Sequence, residues 1–410
     1  MVCGQNYIPG PRTGHASVYV GGIIYYMGGY SNESELSSTI AANTESEFFY
    51  VDTRSNPLLW VDLKNQGVNL PFTIFPTASI GGVNQDSIFI IGGQHLNETN
   101  TNYLYRFDTE TNELSVPIVK GKAPPTREGM NSVSYKGKIY IFGGHMGSGY
   151  NIILFNNFDI LDTINLIWQV GSLINSPVTR TGYTATLVNG VIYYIGGRTQ
   201  QYTFSPMTEI FQYDILGNTW SLKKATATDI TTIPGARVGH SAVLFGGKIF
   251  VYGGMYFNSD TSYNLPSKGT IVILDTTDLV WSQRDTDAPK LAFHTATLLN
   301  KFMIISFGSI LELPNNGNSN NELIYGFDLE DPDLKWYLLP SSNTTTTTTL
   351  PTKSPVATSF NTETNQPSSP SRMVIVGASI SIVAAVLTIC VICSSVYRRM
   401  KRNKLKTVES

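Results

Sequence analysis

The chain of 410 residues has little cysteine, few charged side chains and no long apolar run near its first residues. Its three cysteines are Cys3, Cys390 and Cys393, so the region between the first two has neither a disulfide framework nor a cysteine cluster for zinc. Residues 1–12 hold no apolar run of signal-peptide length. An excess of positive charge is also missing. Before Arg372 there are 21 basic and 29 acidic residues, which argues against the basic face of a nucleic-acid-binding protein.

The sequence does contain an internal repeat. A short apolar run rich in β-branched and aromatic residues ends at a glycine pair, as in KIYIFGG at Lys138–Gly144. Such a run predicts a buried strand, and the glycines permit a sharp turn with positive φ where the strand ends. The glycine-pair positions of successive copies lie roughly 51 to 64 residues apart, which indicates a repeat array. The other copies lie at Gly21–Gly29, Asp86–Gly93, Gly190–Gly197 and Gly247–Gly254, with a degenerate sixth copy at Lys301–Ser309.

Each copy predicts four short antiparallel strands. The first opens with a phrase of the type Arg-x-Gly-His, as in RTGHASVYV at Arg12, and the second ends at the glycine pair. The third ends in aspartate, whose side chain can accept a hydrogen bond from the backbone two residues on, and this predicts a tight turn into the fourth strand. These turn residues are Asp52, Asp108, Asp162, Asp214, Asp275 and Asp328. The fourth strands begin at an aromatic or apolar residue, namely Trp60, Leu114, Trp168, Trp220, Trp281 and Trp336.

This order of Arg-x-Gly-His, Gly-Gly, aromatic-Asp and Trp resembles the kelch repeat, in six copies from about Pro9 to Pro340. The resemblance implies a six-bladed β-propeller of four-stranded blades, in the galactose oxidase-like central domain superfamily. It also implies structural roles for the arginine, the tryptophan and the glycine pair. We expect residues before Arg12 to be able to add a strand to the last blade. The structural glycines would be Gly28, Gly29, Gly92, Gly93, Gly143, Gly144, Gly196, Gly197, Gly253 and Gly254.

The loops between the second and third strands vary most, and antiparallel geometry places them on the same face as the loops that join blades. Variable loops on a rigid scaffold usually carry binding. Exposed aromatic side chains in two of these loops can stack on a sugar or anchor a protein. The alternative is that they pack against their own loops. The candidate ligand face contains Arg198, Tyr202, Phe204, Tyr256, Phe257 and Tyr263.

The composition changes after Pro340. Residues 341–372 are rich in Ser, Thr and Pro, and predict either an O-glycosylated stalk or a plain disordered linker. Met373–Val396 has 24 uncharged residues, and a helix of this length would extend about 36 Å, which suffices to cross a bilayer. Residues 397–410 form a basic tail. The domains predicted are therefore a kelch propeller at 9–340, a stalk, a transmembrane helix and a cytoplasmic tail.

The basic tail places the C-terminus in the cytosol and the propeller outside the cell or in a lumen, as in a type I protein of the plasma membrane. Such a protein normally needs a signal peptide, so we expect the N-terminus to be truncated. The glycosylation candidates are Asn32, Asn97 and Asn343. Cys390 and Cys393 are candidates for palmitoylation, or alternatively pack within the helix.

No catalytic residue, metal ligand set or cofactor site is predicted. Some related propellers, such as galactose oxidase, are copper–radical enzymes that use a Tyr–Cys thioether, but Cys3 is the only cysteine before the stalk. His15, His240 and His294 occupy the His position of the repeat phrase and are predicted to be structural. His95 and His145 each follow a glycine pair and could lie near one another, but two imidazoles make a poor metal site.

The function predicted is non-catalytic binding of a protein or glycan by a membrane-anchored propeller. The alternatives are a galactose or glyoxal oxidase-like copper enzyme and a cytosol-facing kelch scaffold fixed to a membrane. The sequence does not identify the ligand or the oligomeric state.

Overall fold

The computed structural model describes residues 7–31, 45–95, 102–147, 151–200, 203–260, 263–284, 286–311 and 319–339. All of them fall in one compact unit, Met1–Pro351. The described part of the chain is all-β and consists mainly of four-stranded antiparallel sheets, which confirms the predicted fold class at this level. Its helices are short 3-10 turns such as Lys64–Gln66 and Ile230–Thr232.

Six sheets follow one another along the chain, and each takes its four main strands from one sequence repeat. Sheet 1 contains Thr13–Val20, Ile23–Tyr30, Phe48–Asp52 and Leu59–Asp62. Sheet 2 contains Thr77–Gly81, Ser87–Ile91, Leu104–Asp108 and Glu113–Ser115. Sheet 3 contains Ser132–Tyr135, Lys138–Phe142, Phe158–Asp162 and Ile167–Val170.

The second half of the chain continues the pattern. Sheet 4 contains Thr184–Val188, Val191–Ile195, Glu209–Asp214 and Thr219–Lys224. Sheet 5 contains Ser241–Phe245, Lys248–Tyr252, Ile271–Asp275 and Val280–Arg284, with Thr226–Ala227 added in parallel to its last strand. Sheet 6 contains Thr295–Leu299, Phe302–Ser306, Ile324–Asp328 and Trp336–Leu338.

The sheets pack face to face in a closed cycle. First strands of consecutive sheets contact each other, and the first strand of sheet 6 contacts that of sheet 1. An apolar cluster lies between each pair of neighbours, including the closing pair, where Tyr26, Trp60 and Ile304 are buried together. Each sheet therefore buries both of its faces against neighbouring sheets, which a single four-stranded sheet cannot do alone.

The glycine pair at the end of the second strand lies where neighbouring sheets approach most closely. The N–H of Gly144 donates to the carbonyl of Arg180 in the next sheet at 2.8 Å. Gly143 has φ of 64°, and a β-carbon there would lie 2.3 Å from the same oxygen, so a larger residue requires displacement of the backbone. The same inter-sheet bond joins Gly29 to Thr73, Gly93 to Arg127, Gly197 to Arg237, Gly254 to Leu291 and Gly308 to Arg12.

Within the described residues, the cycle closes without a sheet shared between the two ends of the repeat region. Residues 7–12 lie outside every sheet and so do not form the expected extra strand, while residues 1–6 lie outside the described part of the chain. At the closing junction Phe307 replaces the first glycine of the pair, with φ of 60°. Its buried ring packs edge-on against His15 and Tyr26, with ring centroids 5.4 and 5.5 Å away. Side-chain packing thus compensates for the degenerate sixth copy of the repeat.

The arginine of the repeat phrase is buried and holds the end of the second strand in its own sheet. Arg180 donates to the carbonyl of Gly196 at 3.1 Å, and Arg237 donates to that of Gly253 at 2.8 Å. Burial lowers the pKa of Arg237 to about 9, which leaves the guanidinium charged at neutral pH. These contacts explain the structural role that the resemblance implies for the arginine.

The predicted aspartate turns are confirmed. In each of the six main sheets the aspartate carboxylate accepts from the backbone N–H two residues on, as in Asp214 to Leu216 at 2.9 Å. Tryptophans at the start of fourth strands also hold neighbouring loops by hydrogen bonds from the indole N–H. The indole N–H of Trp281 donates to the carbonyl of Met207 at 2.8 Å, and that of Trp220 to Ser172 at 2.7 Å.

Within the ranges given above, no helix combines the length and hydropathy needed to cross a bilayer. Met373–Val396, the predicted transmembrane segment, lies outside the described residues, as do the stalk at 341–372 and the tail at 397–410.

Candidate functional site: the mouth of the axial cavity

The six first strands surround a cavity of about 490 Å³ on the axis of the cycle. We call this the axial cavity, and its mouth is formed by the third residue of each repeat phrase. All six of these residues have positive φ, and five backbone hydrogen bonds of 2.7–3.2 Å connect them from sheet to sheet. The mouth residues are Gly14, Phe75, Gly129, Gly182, Gly239 and Phe293. The glycine of the phrase is thus explained by the left-handed backbone that the mouth requires.

A second set of positions borders the mouth. The residue before each mouth residue pairs with the residue that follows the glycine pair in the same repeat. The repeat pattern does not restrict either member of the pair, so these positions are free to differ between sheets. The pairs are Thr13–Tyr30, Ile74–Gln94, Glu128–His145, Thr181–Arg198, Val238–Met255 and Ala292–Ser309.

Short antiparallel strand pairs continue from these positions and form what we call the collar. In sheet 3 the collar strands are His145–Met146 and Ile153–Leu154. The remaining collar strands are Glu45–Ser46 with Leu70–Pro71, Arg198–Gln200 with Thr203–Phe204, Met255–Asn258 with Tyr263–Pro266, and Leu291–Ala292 with Ser309–Ile310 and Ser319–Asn320. The loops between second and third strands therefore do share a face with the connections between sheets, as antiparallel geometry predicted.

The described members of the candidate ligand face lie on the collar of sheets 4 and 5. Arg198 lines the axial cavity, and its backbone pairs with Thr181 at 2.9 and 3.1 Å. Phe204, Tyr256 and Phe257 are half-buried on the two hairpins and do not line the cavity. Tyr202 and the side chain of Tyr263 lie outside the described residues. The aromatic ligand face stays a prediction.

The three histidines of the repeat phrase connect neighbouring sheets. Each is buried, and its Nε2 lies within hydrogen-bond distance of a hydroxyl on the preceding sheet around the cycle, as in His294 to Ser241 at 2.8 Å. Burial lowers the pKa of His294 to about 3, and holds the pKa values of His15 and His240 well below the usual range. These neutral imidazoles serve the structural role that was predicted. The other two bonds join His15 to Thr295 at 2.9 Å and His240 to Thr184 at 3.2 Å.

The remaining two histidines have different surroundings. His145 lines the axial cavity, with Nε2 at 3.2 Å from Glu128 and Nδ1 at 2.8 Å from the hydroxyl of Thr181. His95 instead contacts the carbonyl of Phe72 at 3.1 Å and is not part of the cavity lining. The expected proximity of the two histidines is therefore not found. Among the described residues, no group of three or more His, Cys, Asp or Glu is placed to bind a metal.

The glycosylation candidates Asn32, Asn97 and Asn343 lie outside the described residues, and so do the palmitoylation candidates Cys390 and Cys393.

Sequence reasoning missed two residues of the mouth and one residue that borders it. Phe75 and Phe293 stand where four repeats have glycine, and Glu128 stands at an unrestricted position between Arg127 and Gly129. Superposition of the six phrases residue by residue would have found the two phenylalanines as departures from the repeat. No local signal marks Glu128, because its importance comes from a contact with His145, a residue of another strand.

Comparison with known proteins places these features in a family. Residues 14–254, more than half of the chain, match the KLHDC2/KLHL20/DRC7 Kelch-repeats domain. Kelch domain-containing protein 3 of Rattus norvegicus is 28% identical over 258 residues, which cover 60% of this chain and 64% of the relative. Host cell factor of Drosophila melanogaster is 27% identical over 212 residues, covering 46% of this chain and 14% of the relative.

Among solved structures, that of YjhT superposes with a TM-score of 0.63 at 13% identity, covering 80% of this chain and 98% of YjhT, which shows a common propeller-like fold. The chain spans about 64% of the length of the Kelch domain-containing protein 3 sequences that it matches. Its repeat phrases, its glycine-mediated junctions and its match over residues 14–254 establish that the chain belongs to the Kelch-repeat family.

Proposed function

We propose that the six sheets are the blades of a six-bladed kelch propeller that works as a non-catalytic protein-binding module. The observation that supports binding is the mouth of the axial cavity, which has a volume of about 490 Å³ and is bordered by the collar. Paired positions that the repeat leaves unrestricted converge there, including Glu128, His145 and Arg198. A rigid frame that presents variable residues around a concavity is typical of binding sites.

Selection of a random-peptide phage library on the purified full chain tests the binding role. We expect enriched peptides whose binding falls when the collar is altered by Phe204→Ala or Phe257→Ala. The matched control is Leu216→Ala, because Leu216 is 97% exposed in the turn between the third and fourth strands of sheet 4, at the opposite end of the sheet. Peptides that bind the collar variants and the wild type equally would contradict the proposed face. Failure to enrich any peptide would count against a protein ligand and in favour of a glycan.

We propose further that the propeller is held outside the cell by the segment Met373–Val396, as a single-pass protein of the plasma membrane with a cytoplasmic tail. The support is the uncharged run followed by a cluster of basic residues. Expression of the chain behind a cleavable signal peptide gives the test. We expect sensitivity to an N-glycosidase and loss of the larger glycosylated form when Asn97 is replaced by Gln. A propeller that stays unglycosylated and is digested only from the cytosolic side would reverse the orientation.

A further inference from the structure

Two mouth residues adopt a backbone conformation that costs free energy. Phe75 and Phe293 have φ of 52° and 56°, in the left-handed region where a β-carbon is unfavourable and where four other sheets use glycine. Both rings are only partly buried and line the axial cavity. Strained residues of this kind persist mainly at functional sites, because glycine would satisfy the backbone at lower cost.

The two rings form one wall of the mouth. Their centroids lie 5.2 Å apart at an interplanar angle of 68°, and they come from sheets 2 and 6, which flank sheet 1. Gly14 of sheet 1 lies beside them, and a β-carbon there would come within 2.8 Å of the Phe75 ring. The wall therefore needs glycine at the intervening mouth position and phenylalanine on either side. It offers an apolar, aromatic surface to whatever enters the cavity.

The sheet 3 side of the mouth carries a carboxylate with unused hydrogen-bonding capacity. The Glu128 side chain is 7% exposed, and its Oε1 lies 3.2 Å from Nε2 of His145. An ionised carboxylate can only accept, so the imidazole donates from Nε2. The other oxygen, Oε2, is buried and has no hydrogen-bond partner in the described part of the protein. A buried acceptor without a donor is costly, so an N–H or O–H from a ligand would stabilise the site.

The deeper part of the axial cavity is polar but close to neutral. Apart from histidines, the charged residues that line the whole cavity are Glu128 and Arg198, which border the mouth and carry opposite charges. His15, His240 and His294 stay neutral because burial lowers their pKa values. Hydroxyl groups lie two or three residues along the first strands from the mouth, about 7–10 Å deeper. They belong to Ser17, Thr77, Ser132, Thr184, Ser241 and Thr295.

We propose that the axial cavity receives a tyrosine side chain from a protein partner. The tyrosine ring packs against Phe75 and Phe293, and its hydroxyl meets the deeper hydroxyl groups. The backbone N–H of the inserted segment donates to Oε2 of Glu128. A tyrosine fits because its body is apolar, its tip both donates and accepts, and it carries no charge. This inference rests on the proposed protein-binding function, and it identifies the side chain that would anchor the partner.

Binding of N-acetyl-tyrosinamide to the full chain, purified in mild detergent and followed by ligand-observed NMR titration, tests the proposal. N-acetyl-phenylalaninamide is the matched probe without the hydroxyl, and methyl glucoside represents a carbohydrate. We expect the tyrosine derivative to bind about three- to tenfold more tightly than the phenylalanine derivative. Comparable affinities of the two amides, or binding of the glycoside alone, would overturn the proposal.

Variants of the chain locate the binding. The double variant Phe75→Gly with Phe293→Gly installs the residue that four other sheets carry, so the backbone is retained while the aromatic wall is lost. We expect its affinity for N-acetyl-tyrosinamide to fall by more than about tenfold, and that of Glu128→Gln by about three- to tenfold. Leu216→Ala should bind as the wild type does. If the double variant does not fold, as judged by circular dichroism, Phe75→Leu serves in its place. Unchanged affinity in the folded aromatic and Glu128 variants would contradict the proposal.

The same probe separates this inference from the proposed function. If selected peptides need the collar but contain no tyrosine, and N-acetyl-tyrosinamide does not compete with them, the tyrosine proposal fails and the binding function stands. If the selected peptides bind independently of the collar and the mouth, both fail.

Discussion

Replacement of His294 by glutamine should make the stability of the protein less sensitive to pH. His294 is buried between sheets 5 and 6, where Nε2 lies 2.8 Å from the Ser241 hydroxyl and the ring packs edge-on against Tyr252 at 5.1 Å. Its Nδ1 is buried with no partner in the part of the chain that the structure describes. Glutamine can still hydrogen-bond to Ser241, but it does not titrate.

The magnitude follows from proton linkage. Burial lowers the pKa of His294 to about 3, whereas the unfolded chain has the ordinary value near 6.5. Between these values the unfolded state binds a proton that the folded state does not, so stability is full above pH 6.5 and falls as the pH decreases toward 3. From pH 7.5 to 5.0 this one residue should lower the free energy of unfolding by about 2 kcal/mol. His15 and His240 act in the same direction.

Urea unfolding at pH 7.5 and 5.0, monitored by tryptophan fluorescence, measures the effect. We expect His294→Gln to be less stable than the wild type at pH 7.5, because ring packing is lost, and the difference to shrink by about 2 kcal/mol at pH 5.0. The exposed variant Leu216→Ala should follow the pH dependence of the wild type. If the wild type and His294→Gln lose stability in parallel as the pH falls, the idea that His294 is held neutral by burial is refuted.

Two further substitutions test the contacts between and within sheets. Gly143→Ala should lower the free energy of unfolding by about 2–4 kcal/mol, because it combines positive φ with a β-carbon 2.3 Å from the Arg180 carbonyl oxygen. A loss below about 1 kcal/mol in chemical unfolding would show that the junction adapts easily. Asp159→Asn should cost about 3 kcal/mol, because it leaves the fully buried guanidinium of Arg127 without its carboxylate. The ion pair between Lys224 and Glu209 is solvent-accessible and serves as the contrast to the buried pair. Glu209→Gln should therefore change the free energy of unfolding by less than about 1 kcal/mol in the same assay.

Much of the fold follows from short-range sequence rules. The aspartate turns are local, since Asp214 bonds the backbone only two residues away, and the second strand of each repeat can be recognised from the apolar run that leads to the glycine-pair position. The inter-sheet role of the glycines could also be expected from their regular recurrence. The exact hydrogen-bond partner of each glycine could not be predicted. The carbonyl that Gly144 contacts belongs to Arg180 in the next repeat, and only the stacking of sheets brings the two residues together.

The candidate site was only partly predictable. The variable loops and the connections between sheets share one end of the sheets, as expected, and the structure places Arg198 of the candidate ligand face in the lining of the axial cavity. That this end binds a ligand stays a prediction. The contact of Glu128 with His145 could not be foreseen, because it depends on the register between the segment that leads into the first strand and the residue after the glycine pair. The pairing of Phe75 with Phe293 joins residues of the second and last sheets, which become neighbours only when the cycle closes. Contacts that form only when the cycle of sheets closes cannot be predicted from the sequence of a single repeat.

Hydrogen–deuterium exchange of the full chain, with and without a library-selected peptide, tests most directly whether the collar end of the axial cavity is the binding face. We predict slower exchange in the segments that form the mouth and collar, especially residues 128–132, 198–200, 203–204, 255–258 and 263–266, and no change in the turns between third and fourth strands. Protection confined to those outer turns, with exchange around Glu128 and Arg198 unaltered, would contradict the account.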